Sequence, residues 1–191
     1  YSGTKCVNIP AGCSACDVLM EQVIPIDKLG KNYLLANLSA DTIVPAYTYR
    51  VISTKDNNDI SVNGTVVTTL SKGQVYHQAN TSAPICLTSL FPIMVIQYTQ
   101  GITCVKVGDP AMVVIPPVEQ FIDRVNYATP NYTGFKNHYV YILVETSSIG
   151  TLDINGVAVA TNKFKPFPSC NKYSYANIEL TPGNHLVNCN N

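Results

Sequence analysis

The chain has 191 residues, and its 12 lysines and arginines balance 12 acidic residues, so the formal charge is zero. Charged residues make up 13% of the chain and apolar residues 46%, which is enough for a packed core without a metal or cofactor. With only two arginines, Arg50 and Arg124, it lacks the basic face that binding to nucleic acid or an anionic membrane requires. The longest apolar runs fall well short of the roughly 18 residues of a membrane-spanning helix, so none is predicted here.

Seven cysteines indicate an oxidising, extracellular location for this weakly charged, threonine-rich chain. They are Cys6, Cys13, Cys16, Cys86, Cys104, Cys170 and Cys189. Because seven is odd, at least one thiol is free or pairs outside the chain. Cys13 and Cys16 also match a redox pair or half of a zinc site. However, no strand-to-helix pattern surrounds them and no second metal-binding pair follows, so disulfides are the preferred interpretation.

Hydrophobic alternation with a period of two predicts β-strands along most of the chain. One predicted face carries Tyr47, Tyr49 and Val51, and another carries Val140, Ile142 and Val144. Asn63-Gly64 and Asn155-Gly156 each lie between two such runs. Asn-Gly tolerates the positive φ angles of a type I′ turn, so both predict tight hairpins. The sequence therefore predicts an all-β, sandwich-like fold.

The two hairpins suggest an internal repeat. Six residues are followed by a residue of the same type 92 positions later in the chain. They are Tyr47, Tyr49, Asn63, Gly64, Val67 and Thr69. We therefore predict two tandem antiparallel β-sandwich-like domains, residues 1–115 and 116–191, joined near the prolines at 116 and 117. The alternative is that tyrosine-rich strands and Asn-Gly turns merely look alike.

Several clusters of residues resemble one known family along nearly the whole chain. They are Ser2-Gly3 with Cys6 and Pro10, Cys16-Asp17 with Leu19, Glu21-Gln22 and Pro25, Gly30 with Tyr33, Asn63-Gly64, Pro92-Ile93 with Val95, Gln97-Tyr98 and Gly101, Asp109-Pro110 with Met112, Pro117 with Glu119-Gln120, and Ile154-Asn155-Gly156. In this order they resemble the N-terminal domain of IgGFc-binding protein and its relatives. The resemblance implies a secreted or cell-surface, non-enzymatic module of a large glycoprotein, often mucus-associated or adhesive. Binding of antibody Fc is not carried over, because no motif here encodes it.

The resemblance and the spacing together suggest one disulfide scheme. Cys6 and Cys16 match family cysteines and are paired, while Cys86 with Cys104 and Cys170 with Cys189 would each close a local loop. This leaves Cys13 unpaired or bonded outside the chain. The extra Cys13 is a departure from the family pattern.

Motifs for catalysis or metal binding are not evident in the sequence, so no catalytic, cofactor-binding or metal residue is predicted. His77, His138 and His185 are single and are expected on strands or turns. Glu21 and Glu119 each precede a glutamine and are expected to hold loops by accepting backbone N–H groups. Residues 55–59 resemble a calcium loop only loosely and are interpreted as a turn.

Four sequons predict N-glycosylation at Asn37, Asn63, Asn80 and Asn131. The leading functional hypothesis is an extracellular structural or adhesive module that binds other glycoprotein modules or copies of itself. The alternatives are a specific glycan- or protein-binding module and a secreted enzyme with an unrecognised site. By the repeat, the counterpart of the apolar run 92–98 would begin near residue 191. We therefore expect the second domain to be truncated, and either a longer native chain or strand addition to that domain.

Overall fold

The computed structural model describes residues 9–13, 18–38, 46–106, 109–135 and 137–189 as an all-β protein. The chain divides into two compact units, Tyr1–Gln120 and Phe121–Asn191. The boundary predicted from the sequence, between residues 115 and 116, lies just before this division. The prediction of an all-β, antiparallel fold is confirmed.

Strands account for most of the first unit. In chain order they are Gly30–Leu35 (β1), Tyr47–Ser53 (β2), Asn58–Val62 (β3), Thr65–Leu70 (β4), Val75–Thr81 (β5), Ile85–Thr99 (β6) and Met112–Ile115 (β7). One short helix, Ile102–Val105 (α1), follows β6, and two 3-10 turns cover Ile26–Lys28 and Val118–Gln120.

The long strand β6 organises the first unit, because four other strands of the seven-stranded sheet pair with it. Its first half pairs with β1 and β3, and its second half pairs with β2 and β7; β4 and β5 lie at the two ends of the strand order. Apolar side chains from these strands meet in one core, which includes Tyr33, Tyr47, Tyr49, Val51, Ile60, Leu87, Ile93 and Val95.

Side chains hold β6 at the step between its two halves. The fully buried Asn58 accepts a hydrogen bond from the backbone N–H of Phe91 (2.8 Å) and donates one to its carbonyl (3.1 Å). The Thr54 hydroxyl donates to the carbonyl of Pro92, and the Tyr33 hydroxyl donates to that of Ile93. These groups satisfy backbone atoms that the interrupted ladder leaves without partners.

The second unit contains two smaller sheets. Its strands are Arg124–Thr129 (β8), His138–Glu145 (β9), Leu152–Ile154 (β10), Val157–Ala158 (β11), Lys165–Pro166 (β12), Tyr173–Leu180 (β13) and Gly183–Cys189 (β14). Two 3-10 turns cover Thr146–Thr151 and Thr161–Lys163. The strand orders are β11-β10-β14-β8 and β12-β13-β9. Their core includes Ile142, Val144, Leu152, Phe164, Ala176 and Val187.

Both predicted Asn-Gly hairpins are confirmed. Val62 pairs with Thr65 and Ile154 with Val157, so each loop contains two residues. The φ angles are 52° and 83° at Asn63 and Gly64, and 55° and 78° at Asn155 and Gly156. Positive φ at both central residues is the geometry that a type I′ turn demands.

Each turn asparagine also binds the neighbouring strand in the same way. Asn63 donates its N–H to the carbonyl of Cys86 (2.8 Å), and its side-chain oxygen accepts the Cys86 N–H (3.0 Å). Asn155 makes the same two bonds to Leu186, both of 2.8 Å. The turn therefore fixes the register between the hairpin and the long strand beside it.

The pairing registers of one sheet in each unit correspond. Tyr33 pairs with Leu87 as Val125 pairs with Val187. Ile60 pairs with Ser89 as Leu152 pairs with Cys189. Residues of β1 and β3 reach their counterparts in β8 and β10 by the same shift in residue number. Residues of β6 reach their counterparts in β14 by a larger shift.

The repeated tyrosines do not correspond in their surroundings. Tyr47 and Tyr49 belong to the core of the first unit, but Tyr139 and Tyr141 are half-buried and lie outside the core cluster of the second. The core residues of β9 are Ile142 and Val144, one position out of phase. Because side chains alternate between faces, such a shift by one residue moves aligned residues to opposite faces.

Candidate functional site

The cysteines pair differently from the scheme predicted from spacing. Cys13 is bonded to Cys104, with the Cα atoms 5.5 Å apart, and Cys189 is free. Three predictions were therefore wrong: the bond between Cys86 and Cys104, the bond between Cys170 and Cys189, and an unpaired Cys13. Cys86 and Cys170 are both disulfide-bonded. The predicted bond between Cys6 and Cys16 lies outside the described residues.

The turn that contains Cys13 packs against the helix that follows β6, which explains the bond. The N–H of Gly101, just before α1, donates to the carbonyl of Ile9 at 3.3 Å. Ile9, Cys13 and Val105 are all at least 95% buried. The bond thus forms across a small core that unites the start of the unit with the end of β6, which linear spacing does not reveal.

The three histidines occupy three different environments. His77 is exposed, and its Nδ1 accepts a hydrogen bond from Arg50 Nε at 3.3 Å. His138 is buried, and its Nε2 has no hydrogen-bond partner. His185 is buried in a network within the sheet of β8 and β14. Among the described residues, no group of three or more His, Cys, Asp or Glu is placed to hold a metal ion.

Glu119 holds a loop, as the sequence predicted. One carboxylate oxygen accepts the backbone N–H of Lys31 (3.0 Å) and the side-chain N–H of Asn32 (2.8 Å), at the start of β1. A Cβ atom at Gly30 would lie 2.4 Å from the Glu119 carboxylate, so only glycine fits there. Glu21 accepts only the N–H of the next residue among the described contacts.

Residues 55–57 form a bend after β2, in line with the predicted turn, whereas Asn58 and Asp59 already begin β3. Asn57 has a φ of 52°, a left-handed conformation that asparagine tolerates. The carboxylate of Asp56 accepts the N–H of Lys72, and that of Asp59 accepts the hydroxyl of Thr69. Both carboxylates thus brace neighbouring segments of the chain.

The face of β8 and β14 is the candidate binding surface of the second unit. A shallow depression of about 520 Å³ lies there. It is lined by Asn126, Tyr127, Ala128, Asn155, Asn184, His185 and Leu186. Four of these residues alternate along the two strands on the face away from the core, which places amide groups beside the methyl groups of Ala128 and Leu186.

Buried polar groups fix the floor of this depression. His185 Nε2 donates to the carbonyl of Thr181 at 2.9 Å, so its Nδ1 accepts from the side chain of Asn155 at 3.4 Å. The Tyr127 ring packs beside the His185 ring at 5.4 Å, and burial raises the pKa of the Tyr127 hydroxyl. The arrangement places hydrogen-bond donors and acceptors around the depression.

Arg124 lies on the same side of the sheet at the start of β8. It is exposed and forms no ion pair within the part of the chain that the structure describes. The sequence analysis treated it only as one of two arginines, and no local pattern distinguishes it from a solvated charge. Arg124 is of interest as a binding residue because β8, the strand that it starts, lies at the end of its sheet.

These strands define the class of the chain: it is an all-β, disulfide-linked protein with a shallow depression on the sheet of β8 and β14. No helix in the described part of the chain has the length and apolarity needed to cross a membrane. A family model described as IgGFc binding protein matches residues 1–191, and the chain belongs to that family. The resemblance seen in the sequence is therefore confirmed, and it points to an extracellular binding or structural module. No curated protein and no solved structure matches the chain significantly.

Proposed function

We propose that this chain is a non-enzymatic structural or adhesive module of a large secreted or cell-surface glycoprotein. The family match over residues 1–191 carries this proposal. The bond between Cys13 and Cys104 supports it, because such bonds persist in oxidising compartments. Its partners are other extracellular glycoprotein modules or copies of itself.

The experiment is to express the chain behind a secretion signal in animal cells and to measure its association with extracellular glycoproteins. Surfaces coated with the purified chain should retain mucin and matrix glycoproteins, and sedimentation should detect any self-association. The matched control is Cys189→Ser, which removes the free thiol and so excludes association through a disulfide between chains. A secreted, folded chain that binds neither itself nor any of these glycoproteins would contradict the proposal.

N-glycosylation belongs to the same proposal, and Asn63 is the sequon that the geometry favours. Asn63 lies at an exposed turn, and its side-chain oxygen is fixed by Cys86 while its Nδ2 has no partner among the described residues. Asn131 is also exposed, Asn80 accepts a hydrogen bond from Gln100, and Asn37 is half-buried. Glycopeptide mapping of the secreted chain should find Asn63 occupied, and removing that sequon should shift the mass by one glycan.

We further propose that the two units are copies of one β plan. The shared registers around β6 and β14 and the matching Asn-Gly turns support this proposal. It predicts that the two hairpins exchange without loss of fold. A chimaera in which residues 60–67 replace residues 152–159 should remain folded, and loss of protection in β14 by hydrogen exchange would refute the correspondence.

Protein binding is the second candidate, and a specific observation favours it over glycan binding. Backbone groups of β8 and asparagine side chains line the depression on the face of the sheet away from the core. The ring of Tyr127, in contrast, packs with the core. Sugar sites usually present an exposed aromatic face against which a ring packs. The chemistry of this face therefore suits a polypeptide better than a saccharide.

A further inference from the structure

Within the described residues, no strand pairs with the outer edge of β8, and this edge carries the inference. The strand lies at the end of the order β11-β10-β14-β8 and pairs with β14 without interruption from Arg124 to Thr129. Natural edge strands are usually protected by a bulge, a proline, a lysine or a cover from another segment. In the part of the chain that the structure describes, none of these protects β8, whose residues at 125–129 are all uncharged.

The direction of the backbone groups follows from two hydrogen bonds. The Cys189 N–H donates to the carbonyl of Asp123 at 2.8 Å, so that pair is a hydrogen-bonded pair of the ladder. Backbone groups alternate between the two sides of a strand, so those of Asn126 and Ala128 point away from β14. The backbone of Leu186, which faces Asn126, is bonded to Asn155 instead, which agrees with this assignment.

The corresponding strand of the first unit is β1, and a carboxylate of the same chain binds its first residues. Asn32 pairs with Thr88 in β1 as Arg124 pairs with Asn188 in β8. In the first unit the carboxylate of Glu119 binds the side chain of Asn32 and the N–H of the residue before it. Arg124 has no such acceptor among the described residues, so a carboxylate is the group missing at this edge.

From this contrast we propose that β8 receives an extended peptide segment of another extracellular module, antiparallel to β8, whose residues are uncharged except for one carboxylate that meets Arg124. Backbone bonds to Asn126 and Ala128 would hold the segment. Its alternate side chains would face the depression, whose amides and methyl groups suit threonine, valine or asparagine. In an antiparallel pairing the carboxylate lies near the C-terminal end of the segment, because β8 starts at Arg124.

This inference rests on the proposed function as a binding module and names the site of contact. The probe is a short labelled peptide of alternating threonine and valine that ends in aspartate, titrated into the full chain. Its counterpart ends in lysine instead, and both peptides are amidated at the C-terminus so that only the side-chain charge differs. We expect the aspartate peptide to bind about fivefold more tightly than the lysine peptide, because one charge pair changes sign.

Two variants separate the backbone and charge contributions. Ala128→Pro removes an outward N–H that the β14 ladder does not use, whereas Ala128→Ser keeps it. We expect the proline variant to lose about fivefold or more in affinity and the serine variant to bind like the parent. Arg124→Glu should reverse the preference between the two peptides, and this test does not depend on the folding of the proline variant.

Hydrogen exchange distinguishes strand pairing from a purely electrostatic contact, because only strand pairing protects backbone amides of β8. The amides of Asn126 and Ala128 should exchange rapidly in the free chain and become protected with the peptide bound. Absence of binding up to about 1 mM peptide, a preference unchanged by Arg124→Glu, or unprotected amides would each overturn the inference. If the chain still bound glycoproteins with β8 altered, the site would be wrong and the proposed function would stand.

Discussion

Removing the bond between Cys13 and Cys104 should destabilise the first unit severely. The two cysteines are 91 positions apart, so the bond closes a long loop of the unfolded chain. Loop-closure entropy then gives a stabilisation of about 4.6 kcal/mol, and the other disulfides make this an upper bound because they already restrict the chain. Typical domains are stable by about 5–15 kcal/mol in total, so this one bond is a large fraction.

The variant for this test replaces both Cys13 and Cys104 with serine, so that no new free thiol is created. Unfolding in urea is followed by circular dichroism, and hydrogen exchange in β2 and β6 isolates the first unit. The melting temperature of that unit should fall by about 15 °C or more. The matched control is Cys189→Ser, which removes the free thiol and should change stability by less than about 0.5 kcal/mol.

Two results would refute the reasoning. The first is a double-serine variant whose unfolding free energy lies within about 1 kcal/mol of the Cys189→Ser control. The second is a non-reducing peptide map that joins Cys104 to Cys86, because that pairing would restore the scheme expected from spacing. Agreement between the map and the melting experiment would tie the stability of the unit to the bond observed.

Three further predictions follow from the geometry. Replacing Gly64 or Gly156 with valine should destabilise its unit by about 1 kcal/mol or more, because a β-branched residue resists positive φ; thermal melts that match the parent would show that the turns are not type I′. Glu119→Ala should cost about 1–2 kcal/mol in urea unfolding while Glu21→Ala costs almost nothing, and equal effects would contradict a clasp on β1. Burial raises the pKa of Tyr33 from 10.0 to about 12, so the folded chain keeps a proton that the unfolded chain loses and stability should fall as the pH rises from 10 to 12. The phenylalanine variant should lose less stability over that range, although it is weaker at neutral pH, and parallel curves for the two proteins would oppose this assignment.

The sequence predicted the class of fold well because its signals are local. Alternation placed Tyr47, Tyr49 and Val51 on one face, and all three lie in the core of the first unit. The Asn-Gly pairs predicted two hairpins, because few other residues accept positive φ at both turn positions. The sequence did not predict the break in pairing in the middle of β6, because it depends on buried side chains from other segments, above all Asn58.

The sequence could not predict the disulfides or the proposed binding face, for a different reason. Cysteine spacing allows many connectivities, and only the fold brings Cys13 beside Cys104. Arg124 became informative only when its strand proved to be an edge and its counterpart Asn32 proved to be bound by Glu119. Both features depend on contacts between distant parts of the chain.

The two kinds of repeated residue show why the turns carry more information than the strands. A turn asparagine such as Asn63 has to adopt positive φ and reach one particular backbone group, so a shift by one residue would lose both contacts. A strand needs only apolar residues at alternate positions, and β9 meets this need with Ile142 and Val144 while its tyrosines face the other way. Matching tyrosines thus record the composition of a β-strand, whereas matching Asn-Gly turns record its register. The identities at 63 and 155 are therefore the stronger support for a common β plan, and the exchange of hairpins tests that support directly.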